Sequence, residues 1–192
     1  MSDPDGERTS HDPDDESLGL ARNSVELVSH DESWHHAYER EADRLRAELG
    51  DELLDIEHVG STAVCGLPAK PILDITIAVR SLPVARELRP RIESLGYEFR
   101  PDDHVPDRLF FARGPESRRT HYLSLTPARS PTWREQVTFR DRLRGDIALR
   151  DEYADLKRRL ADAFSENRSG YTAAKNQFIE RVLSGDGDDE SA

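Results

Sequence analysis

The residues best suited to chemistry lie within residues 56–79, which have the sequence IEHVGSTAVCGLPAKPILDITIAV. Gly60, Ser61 and Thr62 end one short apolar run, where a glycine lets a ligand approach the backbone and hydroxyls can donate to phosphate oxygens. Asp74 lies near the start of the next apolar run, residues 72–79. Because burying an unpaired carboxylate is costly, we expect Asp74 to face a cleft, a cation or a hydrogen-bond donor. The segment predicts a phosphate site, although a tight turn with a capping serine explains Gly-Ser-Thr equally well.

Three further residues can contribute to that site. Lys70 can place a positive charge on a phosphate, but a lysine at the surface is the commoner outcome. His121 lies in a later alternating segment, HYLSLT, and can share a metal with Asp74 or serve as a general acid. His58 lies on an apolar run, where a hydrogen-bonded core histidine is at least as good an interpretation. The P-loop pattern G-x-x-x-x-G-K-S/T is absent.

Hydrophobic periodicity predicts the elements that position these residues. Apolar alternation or short apolar runs indicate strands, and apolar residues spaced by three and four indicate amphipathic helices. The predicted strands cover residues 25–28, 53–59, 72–79, 97–99, 109–111 and 120–126, the last two as a hairpin. The predicted helices cover residues 34–49, 81–95, 131–145, 147–164 and 171–183. Several strands followed by a run of helices predict an α+β domain.

The composition predicts one domain between two acidic tails. A chain of 192 residues with 35% hydrophobic content can bury a core without disulfides or structural metals. Residues 1–22 and 185–192 are acidic and poor in apolar residues, so we expect disordered tails around a domain at residues 23–184. Cys65 is the single cysteine, and no run is long enough for a membrane span or a signal peptide. We therefore expect a cytoplasmic protein with no membrane partner.

The charge pattern restricts the partners further. The formal net charge is -12, from 39 acidic and 27 basic residues, and three of the basic residues are lysines. Salt screens the self-repulsion of such a surface, so an Asp-rich and Lys-poor composition predicts a halophilic host, for which we expect an archaeon. Sequence-independent nucleic-acid binding depends on basic surface and is not expected. The composition leaves the oligomeric state open.

Arginines cluster around the predicted hairpin and in the helix that follows it. Two interpretations are open: the cluster binds an anionic ligand, or its members form salt bridges with the abundant acids. The arginines concerned are Arg108, Arg113, Arg118, Arg119, Arg140, Arg142 and Arg144.

Six segments together resemble one protein family. In chain order they are EHVGSTAVCGLPAKPILDI, RLFFARG, RRTHYL, FRDRLR, YADLK and YTAAKNQFI. From about Val25 to Leu183 the chain resembles the GrpB family of nucleotidyltransferase-like proteins. The resemblance implies a nucleotidyltransferase-like mixed sheet flanked by helices, with a C-terminal helical segment. It also implies a nucleotide or another small phosphorylated ligand, with Mg²⁺ as the cofactor.

The resemblance also implies roles for individual residues. Gly60, Ser61 and Thr62 would contact the phosphates, and Asp74 would bind the metal. The basic residues that it adds to the ligand site are Lys70, Arg119 and Lys175, with Tyr171 one helical turn before Lys175. For the last two residues a structural role is the alternative.

The metal set differs from that of active nucleotidyltransferases. Those enzymes carry two carboxylates two positions apart on one strand and a third on a neighbour, so that two magnesium ions align the reacting oxygens. Here the second position is Thr76, and residues 121–124 offer no carboxylate. Three alternatives stay open: Asp74 and His121 hold one metal, Asp74 alone binds Mg²⁺ through water and substrate phosphate, or the site binds a nucleotide without chemistry.

Three functions follow from these alternatives. The first is Mg²⁺-dependent transfer of a nucleoside monophosphate from a nucleoside triphosphate to an unknown acceptor, with Lys70 and Arg119 facing the developing charge. The second is a noncatalytic nucleotide-binding or interaction module with a degenerate metal site. The third is an enzyme for a different phosphate ester, with His121 as the general acid.

Overall fold

A computed structural model describes residues 17–21, 24–164 and 168–185 of the chain. Within these ranges the strands are β1 (Asp55–Val59), β2 (Leu73–Val79), β3 (Tyr97–Phe99), β4 (Leu109–Arg113) and β5 (His121–Pro127). The helices are α1 (Ser33–Leu49), α2 (Leu82–Ser94), α3 (Pro131–Gly145), α4 (Ile147–Ala163) and α5 (Arg168–Ser184). Short 3₁₀ turns follow α1 and β1. The predicted order of strands and helices from α1 onward is confirmed.

The strands form one mixed sheet in the order β1-β2-β5-β4-β3. The neighbours β2 and β5 are parallel and lie at the centre, and the other neighbouring pairs are antiparallel. Asp74 on β2 pairs with Val59 on β1 and with Tyr122 on β5. The end of β2 that carries Asp74 therefore lies beside the turn that follows β1. The expected α+β class and the β4–β5 hairpin are both confirmed.

Helices α1 and α2 cover one face of the sheet. The apolar positions of α1 recur at spacings of three and four residues and bury Ala42, Leu45 and Leu49. They pack with the β2 side chains Ile75 and Ile77 and with apolar residues of α2, β4 and β5 in the main hydrophobic core. Apolar packing fills the space between this face and the two helices.

Helices α3, α4 and α5 lie on the opposite face. Capping side chains begin two of them: Ser130 accepts from the Trp133 N–H before α3, and Asp146 accepts from the Leu149 N–H at 3.0 Å before α4. These helices form a second core around Phe139, together with apolar residues of the segment between β1 and β2. Because this core lies between the helices and that segment, a cleft is left over the Asp74 end of β2.

Two expectations about the first part of the chain are wrong. The predicted strand at residues 25–28 is a single β-bridge between Val28 and Ala69. Residues 17–21, which the sequence assigned to a disordered tail, pack onto the domain: Leu18 is 1% exposed, and Leu20 exchanges backbone hydrogen bonds with Arg119. Leu18 and Leu20, spaced by one residue, are both buried, which average composition does not predict. Residues 1–16, 22 and 186–192 of the expected tails lie outside the described residues.

None of the described helices is both long enough and apolar enough to cross a membrane.

Candidate functional site

A cleft of about 330 Å³ opens between the Asp74 end of the sheet and the C-terminal helices. It brings together most of the residues that the sequence singled out. The predicted site residues that line it are Ser61, Thr62, Lys70, Asp74, Tyr171 and Lys175. Their positions in the chain are far apart, so the cleft exists only because the fold closes the C-terminal helices over the first two strands.

Gly60 allows the turn after β1 to approach Asp74. Its backbone has φ +69°, a conformation that side chains with a Cβ disfavour. A Cβ built at Gly60 would overlap the Oδ2 atom of Asp74 and would lie 3.0 Å from its Cβ. The glycine is therefore required twice, by the backbone conformation and by the carboxylate above it. The predicted proximity of the Gly-Ser turn to Asp74 is confirmed.

Lys157 of α4 forms the floor of the cleft beside Ser61. Its Nζ lies 2.9 Å from the Ser61 Oγ and also donates to the Pro68 carbonyl. The lysine is 2% exposed. Burial, together with the nearby charges of Lys175 and Arg158, lowers the pKa of Lys157 well below its ordinary value. No carboxylate of the described residues pairs with it, so this site holds a buried amine rather than a buried ion pair.

Sequence reasoning gave no role to Lys157. The segment YADLK was noted only as part of the resemblance, and a charged residue on a helix is usually solvated. Two signals could have found it. Lys157 is one of three lysines in an arginine-rich chain, and it lies four residues after Tyr153, on the face of α4 that is buried.

Two tyrosine rings lie beside the lysine amines of the cleft. The Lys157 Nζ lies 4.9 Å from the Tyr153 ring centroid, and the Tyr153 hydroxyl lies near Ser61. The Tyr171 ring lies 4.6 Å from the Lys70 Nζ and 5.9 Å from the Lys175 Nζ. Burial raises the pKa of both hydroxyls, that of Tyr171 to about 12. Both tyrosines therefore stay neutral at physiological pH, and their rings lie against the lysine amines.

The charge of the cleft favours an anion. All three lysines of the chain line it, together with Arg108. Asp74 is the one acidic side chain in its lining, as far as the described residues show. A site with several basic groups around a single carboxylate attracts phosphate more strongly than it attracts a free divalent cation.

Two polar atoms near the cleft have no protein partner. The Oγ1 of Thr76, on the same face of β2 as Asp74, and the Oε1 of Gln136, in the cleft lining, are buried without a hydrogen bond among the described residues. Leaving such a group unsatisfied costs about 1–3 kcal/mol. The Gln136 atom, which lines the cleft, can therefore accept a bond from a ligand or a water molecule.

The donor set does not fit the two-metal site of active nucleotidyltransferases. Thr76, which is fully buried, occupies the position of the second carboxylate. Over the described ranges, no group of three or more histidine, cysteine, aspartate or glutamate side chains is placed to hold a metal ion. Asp74 alone is left as a carboxylate ligand, so the metal chemistry of those enzymes has no matching residues here.

His121 lies on the face of the sheet opposite to Asp74, so the alternative in which these two residues hold one metal is wrong. The β5 register places His121 opposite Leu73 and places Tyr122 opposite Asp74. Because successive strand residues face opposite sides, His121 lies with the α1/α2 core, with its ring centroid 6.4 Å from that of Tyr97. Burial lowers the pKa of His121 to about 3.

His58 and Thr62 form a structural pair. The His58 Nε2 lies 3.0 Å from the Thr62 Oγ1, and the imidazole stacks on Tyr38 at 4.7 Å between centroids. Burial lowers the pKa of His58 to about 3, so it is neutral at physiological pH. The interpretation of His58 as a hydrogen-bonded core histidine is confirmed. The Thr62 hydroxyl, expected to contact phosphate, is instead directed to His58.

Arg119 is also not part of the cleft lining. Its guanidinium is buried and bonds to the Gly114 carbonyl and, at 2.7 Å, to the Glu98 carboxylate. The expected contact with a phosphate therefore has no support. The other clustered arginines likewise bind carboxylates or backbone carbonyls, in the pairs Arg108–Asp103, Arg113–Glu41, Arg118–Leu18, Arg140–Glu57, Arg142–Val182 and Arg144–Ala63. The salt-bridge interpretation of the cluster is the better one.

Comparison with known structures defines the class of the fold. The chain is similar to the Cid1 poly (U) polymerase in its MgGTP-bound crystal structure, with a TM-score of 0.52 and 14% identity over 77% of this chain and 50% of that one. The protein thus has a nucleotidyltransferase-like fold, with a mixed sheet flanked by helices.

The chain belongs to the GrpB family. The family model described as GrpB protein matches residues 24–184. The glutamate-rich protein GrpB of Alkalihalophilus pseudofirmus is 32% identical over 170 residues, which cover 86% of this chain and 98% of that protein. The crystal structure of the conserved protein GrpB from Enterococcus faecalis has a TM-score of 0.75 and 28% identity, covering 83% of this chain and 98% of that one. These relatives are bacterial and do not support the expected archaeal source.

Proposed function

We propose that the cleft binds a nucleoside triphosphate or a similar small phosphorylated ligand. The observation that carries the proposal is that all three lysines of an acidic, arginine-rich chain line this one cleft. Elsewhere in the described chain, the basic residues seen in ion pairs are arginines and histidines. Lysine is therefore confined to the place where a compact positive charge can follow a mobile phosphate.

The turn supplies the second part of the argument. Ser61 follows a glycine whose conformation brings the backbone close to the cleft, and its side chain lines the cleft. In the proposed complex the phosphates lie along this turn, between Lys70 and Lys175. The unpaired Gln136 Oε1 lies in the same lining and would accept a hydrogen bond from a donor on the ligand.

The proposal is tested by isothermal titration of the protein with ATP, GTP, CTP and UTP, with and without Mg²⁺. Lys175→Gln is expected to weaken the tightest of these about tenfold, because one charge-assisted contact is lost. Arg89→Gln is the matched control, since Arg89 lies on exposed helix surface outside the cleft. If no nucleotide binds the wild-type protein, or if both variants bind alike, the proposal fails.

Nucleotidyl transfer is the second candidate. Gly60, Ser61 and Asp74 stand together as the first half of a nucleotidyltransferase site, which supports it. A single Mg²⁺ at Asp74 stays part of this candidate only, because the residues present do not fit two ions. Release of pyrophosphate from a nucleoside triphosphate that is lost in Asp74→Asn would support transfer. Binding without turnover supports the noncatalytic module.

The expected partners and location follow the same proposal. A small phosphorylated ligand agrees with an opening of about 330 Å³. The acidic surface still argues against nucleic acid as the partner. Cytoplasmic location and a halophilic host are predictions from composition.

A further inference from the structure

Ser61 and Lys157 form a contact that phosphate binding does not require. The Lys157 Nζ is buried beneath Ser61, and its two polar neighbours are the Ser61 hydroxyl at 2.9 Å and the Pro68 carbonyl. A lysine that serves only to bind phosphate would direct its amine to the ligand. This amine is instead directed to a side-chain hydroxyl.

The two contacts match a neutral amine. A neutral Nζ has two N–H donors, which suffice for its hydrogen bonds to the Ser61 Oγ and the Pro68 carbonyl, and it keeps one lone pair that can take up the Ser61 proton. A charged ammonium in this place would be buried without a carboxylate, which is costly. Burial and the charges of Lys175 and Arg158 lower the pKa of Lys157, which agrees with this arrangement.

Ser61 is also placed to react. It follows Gly60 at the end of β1, it is partly exposed, and its side chain lines the cleft. The Tyr153 hydroxyl also lies near Ser61. A hydroxyl held between a buried amine and the ligand cleft has the arrangement of an activated nucleophile.

We propose that Ser61 is a nucleophile, that Lys157 is its general base, and that the electrophile is a phosphorus atom of a phosphoanhydride bound in the cleft. The ligand class rests on the proposed function. In the step, the Ser61 Oγ–P bond forms while the bridging P–O bond breaks. The proton of the hydroxyl passes to the Lys157 Nζ. With a nucleoside triphosphate attacked at its α-phosphorus, pyrophosphate leaves and a seryl nucleotidyl phosphodiester remains.

A phosphorus electrophile tests the nucleophile directly. The wild-type protein is treated with an alkyl phosphonofluoridate probe, and the labelled residue is located by peptide mass spectrometry. We expect a single adduct at Ser61 that is lost in Ser61→Ala. Ser94→Ala is the matched control, because Ser94 is an exposed serine at the end of α2, outside the cleft, and should leave the labelling rate unchanged. Labelling that is absent, or that persists in Ser61→Ala, would overturn the proposal.

The base is tested with Lys157→Met, which keeps the length of the side chain and leaves no buried charge. We expect the labelling rate to fall about 10²-fold or more, which is the contribution typical of a general base. Thermal unfolding monitored by circular dichroism checks that this variant is folded. If folded Lys157→Met is labelled at the wild-type rate, Lys157 is not the base.

Nucleotide titration of the wild-type protein, set beside its labelling by the probe, separates this inference from the proposed function. Nucleotide binding without probe labelling of the wild type overturns the nucleophile and leaves ligand binding intact. Labelling of Ser61 in a protein that binds no nucleotide overturns the ligand class and keeps the nucleophile.

Discussion

The two faces of the sheet differ in whether a buried ionisable side chain has a partner of opposite charge. On the α1/α2 face, Glu41 is 5% exposed and accepts from Arg113 at 2.7 Å and from the Tyr97 hydroxyl at 2.9 Å. On the cleft face, Lys157 is as deeply buried but has a hydroxyl and a carbonyl as neighbours. A buried charge with its opposite partner stabilises the fold, whereas a buried amine without one is a candidate for function.

The largest effect on stability should come from a substitution on the α1/α2 face, where Glu41 is paired with Arg113. Glu41→Ala leaves Arg113 and the Tyr97 hydroxyl without their acceptor, so we expect the free energy of unfolding to fall by about 3 kcal/mol, at the low end for a buried pair because Arg113 is partly exposed. Urea unfolding measures the change. Glu39→Ala is the control, since Glu39 is exposed on the same helix, and it should change stability by about 0.5 kcal/mol or less. Equal effects of the two substitutions would remove the contrast.

Gly60→Ala should have the next largest effect, on the cleft face. The alanine would have to adopt a φ near +69° and its Cβ would overlap the Asp74 carboxylate. We expect a loss of about 2 kcal/mol in urea unfolding and weaker nucleotide binding by titration. Gly50→Ala is the matched control for φ alone, because Gly50 has φ +56° and open space around its Cβ position. If Gly60→Ala and Gly50→Ala change stability and nucleotide binding equally, the contact between residue 60 and Asp74 contributes to neither.

Two buried histidines on the α1/α2 face, His58 and His121, make the stability of the fold depend on pH. The pKa of both His58 and His121 is lowered to about 3 in the fold, against an ordinary value near 6.5, because burial opposes the charged ring. Between these values the unfolded chain binds protons that the fold does not. Their contribution to stability is therefore complete above pH 6.5 and falls by about 1.4 kcal/mol per pH unit per histidine as the pH drops.

Urea unfolding at pH 7 and pH 5 checks this dependence. His35→Gln, at an exposed position, should retain the wild-type slope. The burial of His58 and His121 is contradicted if the free energy of unfolding changes with pH no more steeply than titration of the carboxylates alone would produce.

Lys157→Met should have the smallest effect on stability. Replacing a buried lysine that lacks a carboxylate by an apolar side chain of similar length should leave the free energy of unfolding within about 1 kcal/mol of the wild type, or raise it. Nucleotide affinity and reactivity at Ser61 should fall in the same variant. A large loss of stability would place Lys157 with Glu41 as a structural residue.

The sequence predicted the fold better than it predicted the site. The period of two in β2 and β5 and the spacing of apolar residues in α1 determined the elements, because each pattern is local. The proximity of Gly60, Ser61 and Asp74 was also foreseeable, since they lie at adjoining ends of consecutive strands.

The remaining errors concern contacts between distant segments. Strand alternation places His121 and Tyr122 on opposite faces, but only the register with β2 decides which one joins Asp74. Arg119 was assigned to a phosphate, whereas its partner Glu98 lies on another strand. Lys157 was overlooked for the same reason: its helix reaches the Gly-Ser turn only through tertiary packing.

The gathering of lysines in one cleft has a chemical consequence. Apart from the α-amino group of Met1, each primary amine of the chain borders the ligand site. Reagents that acylate or alkylate amines, which modify most proteins over their whole surface, should therefore act here as site-directed reagents at Lys70 and Lys175. A bound ligand should shield these amines, and coupling the protein to a support through its lysines should close the cleft.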